Sequence, residues 1–294
     1  MEVVTIIGMV INAFIAVVNI IDITKGRALK PVDKVLLSLG LCRFVLQALL
    51  IMDTVKYFIW FSDVPFQAET ALWLGVQKAL DHCNLWLTAW LCLLYCVKIV
   101  HCRLHSFLKQ KIPRLILPVI VESVLMSMLS GGLLAWSFHE KFIKSTSKNS
   151  SIHLDFEINI PPLVIGQFLP FLIAAISTLL LLKTLLGHVC RIKNRGDFSS
   201  LKMDIHIASI RTVLLFFLIS ALKLISIIVK STAPTNSIFF ILSFLLSSAF
   251  PTFHSIAICL GNSKLKGIFC KAKSWVKQCK IIQQNNSSNI LTSI

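Results

Sequence analysis

Charge is scarce in this 294-residue chain: Asp, Glu, Lys and Arg together make up 14% of it, and only 13 residues are acidic. Soluble domains carry about a quarter of their residues as charge, and none could hide the 56% apolar content found here. Water-soluble classes are excluded. Also lacking are the spacings on which chemistry is usually built. There is no CxxC or HExxH pair to hold zinc and no glycine-rich loop to cradle phosphate. His82, His188, His206 and His254 are scattered over four apolar runs and their edges, so no Ser, His and Asp or Cys and His set shares one membrane face. Catalysis is disfavoured, and no metal or cofactor is expected.

The nine cysteines, at 42, 83, 92, 96, 102, 190, 259, 270 and 279, fall mostly inside or at the ends of apolar runs, where they act as small hydrophobes. They make no disulfide framework: only Cys83 lies near the expected outer surface, and the long loop from His139 to Asn159 offers it no partner. Basic residues follow the first apolar run and do not precede it. No cleavable signal is evident, and the first span is expected to be its own uncleaved anchor.

What is present is apolar length, with a mean hydropathy of +0.81. Runs able to cross a ~30 Å hydrocarbon core fall at about Val3–Ile23, Val35–Phe61, Leu72–Val100, Leu115–Phe138, Ile160–Leu186, Ile207–Val229 and Ile238–Leu260. This predicts an all-α membrane protein, a seven-transmembrane helix bundle. The net charge of +16 is concentrated in alternate loops: Lys25, Arg27, Lys30 and Lys34 follow the first run, Arg103 to Arg114 the third, Arg191 to Lys202 the fifth, and Lys264 to Lys280 the seventh. The positive-inside rule then puts the amino terminus outside and the carboxyl terminus in the cytosol, in a multi-pass plasma-membrane protein. The basic charge thus points to a lipid surface and not to nucleic acid.

Residues 1–262 read as the membrane domain, 263–280 as a basic amphipathic helix on the inner leaflet, and 281–294 as a disordered tail. Asn149 heads a glycosylation sequon in the longest outer loop, whereas the sequons at Asn285 and Asn286 should stay bare in the cytosol. Cys270 and Cys279 are candidate palmitoylation sites, with free thiols the competing reading.

A charge inside hydrocarbon must face the bundle interior, reach an interface or function. Arg43 lies well inside the second run, and Asn12 and Asn19, seven apart on one face of the first, are its expected partners. Such a polar network is either structural or part of a switch. Lys98, Lys183 and Arg211 lie near inner ends and can snorkel. Glu122 has no such outlet unless it faces a neighbouring helix. Lys223 lies sixteen residues into the sixth run, where it either lines a wet outer cavity or snorkels to the outer surface. Trp86 and Trp90 share a face of the third helix, as packing or as the wall of a cavity.

Five fragments resemble one family in family order, the bitter taste receptors (taste receptor type 2), which are seven-helix G-protein-coupled receptors. NAFIAVVNIID at 12–22 resembles the family's NxFIxxVNxxD, with Ile23 in place of the usual Trp. LGLCR at 39–43 resembles LAxSR; Trp86 followed by LCLLYCVKI at 91–99 resembles WxxxxLSxFYxxKI; HIASIRT at 206–212 resembles HxxAxKT, with Arg211 for Lys. FPTFHSIAICLGNSKLK at 250–266, similar to YPSxHSFILIxxNxKLK, is the most specific.

The resemblance implies a receptor for bitter small molecules that couples to a gustducin-type heterotrimeric G protein, phospholipase C and calcium release. Its ligand is expected in the outer half of the bundle against Trp86, with Trp90, Cys83 and Leu87 beside it. Phe244 stands where some relatives use a Glu against cationic alkaloids, and Lys223 where they often have a Tyr; both favour neutral or anionic agonists. Tyr95, Lys98, His188, His206 and Arg211 are the expected G-protein-facing or switch residues. The competing class is a multi-span transporter, which should show duplicated halves that this sequence lacks.

Overall fold

The computed structural model describes residues 2–59, 68–99, 103–148, 164–194, 200–232, 234, 237–271 and 274. Asn149, Cys279 and the tail from 281 lie outside them. The described chain forms α1 (Glu2–Thr24), α2 (Pro31–Ile59), α3 (Ala68–Ile99), α4 (Arg103–Lys148), a π turn (Val164–Phe168) leading into α5 (Leu169–Asn194), α6 (Ser200–Thr232) and α7 (Ile238–Gly261). Helix is what such sequences must adopt where no water can satisfy the backbone, even through the β-branched run of α1. All seven helices contain a segment long and apolar enough to cross a membrane.

The ends are set by local chemistry. Gly26, at φ +67°, closes α1: its N–H bonds Ile23 O and that of Arg27 bonds Asp22 O, both at 2.9 Å, and only glycine takes that backbone cheaply. Pro31 then opens α2, where its missing N–H is not needed. Ser237 caps α7 by accepting from Phe239 N at 3.2 Å. Asn262 ends α7 through its own N–H to Ile258 O and starts residues 263–271 as a further helix by accepting from Lys264 N at 3.0 Å. That helix buries Leu265 and sets Phe269 edge-on to Phe14 of α1, with centroids 6.2 Å apart.

One element is longer than expected. α4 has 46 residues, of which only Arg114–Glu140 is apolar enough to span, and it continues through ten positions, 139–148, read from the sequence as loop. Those ten positions contain neither glycine nor proline, so nothing stops the helix there.

The helices pack in a ring in which α1 meets α2 and α7, and α6 meets α5 and α7, while α3 stands at the centre against α2, α4 and α5. The principal apolar cluster joins Ile15, Leu36, Leu39, Leu87, Leu91, Phe216 and Ile258. Large apolar residues such as Leu117, Leu125 and Met128 line the outward face of α4. Glu122 is exposed on that same helix and does not face a neighbour.

Candidate ligand-binding site

Arg43 is wholly buried, and every group that meets it is neutral. Its Nε donates to Asn84 Oδ1 at 2.6 Å, Nη1 to Ser255 Oγ at 2.8 Å, and Nη2 to Thr88 Oγ1 at 3.1 Å and His254 Nδ1 at 3.0 Å. The planar fork suits acceptors spread over two helices. Ser255 Oγ reaches Asn12 Oδ1 at 2.7 Å, Asn12 Nδ2 donates to Gln47 Oε1 at 2.9 Å, and Gln47 Nε2 to Thr252 Oγ1 at 3.0 Å. One web thereby ties α1, α2, α3 and α7.

The expected partners of Arg43 fall differently. Asn12 reaches Arg43 through Ser255 and not directly, and Asn19, seven residues on, belongs to a second cluster at the α1 carboxyl end. There Lys264 Nζ bonds Asn19 Oδ1 at 2.9 Å and pairs with Asp22 at 2.7 Å and Asp33 at 3.7 Å. The reason is length: seven residues of helix span ~10 Å, beyond what one guanidinium covers.

Lys223 is buried too, and it has an acid. Its Nζ stands 3.0 and 3.2 Å from the two Asp81 oxygens and 2.9 Å from Ser247 Oγ, with the Phe250 ring 5.6 Å away. Asp81 has Lys78 as a more distant second cation at 3.9 Å. Lys223 therefore neither snorkels nor stands free. Beside it, a narrow cleft with about 20 Å³ of free space is lined by Leu85, Thr88, Gln167, Phe171, Lys223 and Ile227, among others. Thr88 belongs to both regions, as a wall of the cleft and an acceptor for Arg43.

The other expected site residues spread round α3. Cys83 and Leu87 lie in the principal apolar cluster. Trp86 follows Ala79 by seven residues and so lies ~20° from it round the helix. Ala79 is where a Cβ on Gly131 of α4 would press, 2.7 Å away, so the face carrying Trp86 is turned to α4. The indole N–H groups of Trp86 and Trp90 are both buried with no partner among the described residues. Phe244 is 37% exposed, with Lys230 Nζ 4.8 Å above its ring. Tyr95 packs between two apolar clusters, and Arg211 is exposed. The side chains of Lys98, His188 and His206 lie outside the described residues.

Sequence reasoning missed Asp81 as the mate of Lys223, and Gln47, Asn84, Thr88, His254 and Ser255 around Arg43. A signal existed. Gln47 follows Arg43 by four, and Thr88 follows Asn84 by four, each a polar pair on one face of an apolar helix.

The sequence profile of the family described as Taste receptor protein (TAS2R) matches residues 1–277. The chain belongs to that family. Among curated relatives, Taste receptor type 2 member 9 of Macaca mulatta is 27% identical over 92% of this chain and 91% of its own length. Taste receptor type 2 member 13 of Pan troglodytes is 27% identical over 93% and 94%, and Taste receptor type 2 member 4 of Gorilla gorilla gorilla 28% over 88% and 90%. The receptor is thus one of the TAS2R bitter-taste receptors, a seven-helix G-protein-coupled-type family not known for catalysis, resident as a multi-pass protein in the plasma membrane.

Proposed function

We propose that a bitter small molecule enters the cleft beside Lys223 from outside the cell and shifts the bundle towards an arrangement that activates a gustducin-type G protein, phospholipase C and calcium release. The basic loops support an amino terminus outside, which makes the Lys223 end of the bundle the outer half. The observation that carries the mechanism is Thr88: agonist pressing on it acts on Arg43, and through Arg43 on Ser255 and His254 of α7. Trp86, Trp90, Cys83 and Leu87 set the position of α3 behind that contact. Lys230 above Phe244 holds the place a cationic ligand would need. At the other end, Tyr95, Lys98, His188, His206 and Arg211 surround the groove offered to the G protein. Residues 263–280 lie along the inner leaflet with Cys270 as a free thiol, and Asn149 carries a glycan outside. The test is a calcium-mobilisation screen of a chemically diverse bitter panel in cells carrying a promiscuous G protein. Responses that vanish in mock-transfected cells are expected; silence at verified surface expression contradicts the reading.

A further inference from the structure

The cleft holds one polar group that no described residue satisfies. Gln167 is 4% exposed, and its Oε1 has no hydrogen-bond partner among the described residues. Its orientation follows from its neighbours. With its single proton given to Ser127 O at 3.0 Å, Ser130 Oγ accepts from His82 Nδ1–H in the tautomer on which the proposal is built. A neutral imidazole protonated on Nδ1 leaves Nε2 as an acceptor, and Gln167 Nε2 donates to it at 3.3 Å. The carbonyl oxygen is thereby the free end, in a side chain that lines the cleft. Gly166 fixes this arrangement, since a Cβ there would stand 2.2 Å from His82 Nδ1. A buried acceptor without a donor is costly, and a ligand O–H or N–H would relieve it.

The same cleft carries Lys223, whose present counter-ion is replaceable. Asp81 is 13% exposed and already has Lys78, itself 36% exposed, at 3.9 Å. If another anion takes Lys223, Asp81 keeps a partner on its wetter side. The same lining includes Leu85, Phe171 and Ile227, apolar side chains on which a ring can pack. We propose that the cleft widens, as Asp81 leaves Lys223, to take a small aryl carboxylate or sulfonate that also bears a hydroxyl or amide N–H. Its anionic group displaces Asp81 from Lys223 while its donor bonds Gln167 Oε1. This rests on the receptor reading above and adds the chemical class of the ligand and the place of its two polar ends.

The probes are 4-hydroxybenzoate and 4-hydroxycinnamate, their methyl esters, and their 4-methoxy analogues, each measured as a calcium dose-response at matched surface level. Both hydroxy acids should activate the receptor, with the esters and the methoxy acids weaker by about tenfold. Lys223→Met should remove the preference for acid over ester, and Gln167→Leu the preference for hydroxyl over methoxy. Asp81→Asn should make the acids about tenfold more potent, because it removes their competitor. Since Asp81→Asn alone leaves Lys223 buried and unpaired, the double variant Asp81→Asn/Lys223→Met serves beside it and should reach the surface while answering acid and ester alike. Unchanged acid potency in Asp81→Asn at normal surface level, or preferences that survive Lys223→Met and Gln167→Leu, would overturn the proposal. A receptor that answers neutral bitter compounds but neither acid overturns the anion assignment and leaves the receptor reading standing; silence to both classes removes the two together.

Discussion

Arg43 and Lys223 are both cations buried in an apolar bundle, and the protein accommodates them in opposite ways. Around Arg43 there is no carboxylate among the described residues, only four neutral acceptors from α3 and α7 in a web that runs on into α1. Lys223 has a carboxylate, a hydroxyl and a cleft beside it. A delocalised planar cation can be held by dipoles spread in space, whereas a compact ammonium wants a counter-charge. The first solution locks helices together; the second leaves a charge pair that a competing anion can open. The α1–α2–α7 side is therefore the scaffold, and the α3–α5–α6 side is where a ligand can act.

The contrast breaks first at Arg43. Arg43→Met leaves Asn84, Thr88, Ser255 and His254 without their shared donor, and each buried acceptor left unsatisfied costs about 1–3 kcal/mol. Little receptor should reach the surface, which cell-surface labelling against total protein would measure. Gly8→Ala comes next. Its Cβ would stand 2.1 Å from both Gln47 Nε2 and Thr252 Oγ1, wedging open the hydrogen bond between them. Overpacking of this sort removes about 1–3 kcal/mol, so surface level should fall partway while the potency of remaining receptors holds.

On the ligand side the effects should be on potency. Trp86→Ala removes a large buried side chain between α3 and α4, and should weaken agonist response about tenfold while delivery to the surface persists. Trp86→Phe sharpens the point. The indole N–H has no partner among the described residues, so its loss should move neither delivery nor potency more than about twofold. A large potency loss in the Phe variant alone would mean that a ligand uses that N–H.

The number and order of spans were legible in the sequence because bilayer thickness forces long apolar runs, and basic loops punctuate them. The family was legible from five fragments, and residues 250–266 already contained Thr252, His254 and Ser255, though not their connection to Arg43. That connection was not legible, because His254 and Ser255 lie 211 and 212 residues from Arg43 and periodicity reports faces, not partners. The extended end of α4 escaped because lysines and serines fit a helix as well as a loop. The α4-turned face of Trp86 escaped because spacing on α3 gives only relative angles; the close approach at Gly131 fixes the absolute one.

The division between scaffold and sensor is tested most directly by melting purified receptor carrying either Arg43→Met or Lys223→Met in parallel with wild type. At roughly 2–4 °C per ~1 kcal/mol, the scale of somewhat shorter chains, the four acceptors left unsatisfied in Arg43→Met should lower the midpoint by about 10 °C or yield no folded protein. Lys223→Met should lower it by less than Arg43→Met does, because Asp81 is partly exposed and retains Lys78. Equal shifts, or a larger one for Lys223→Met, would contradict the account.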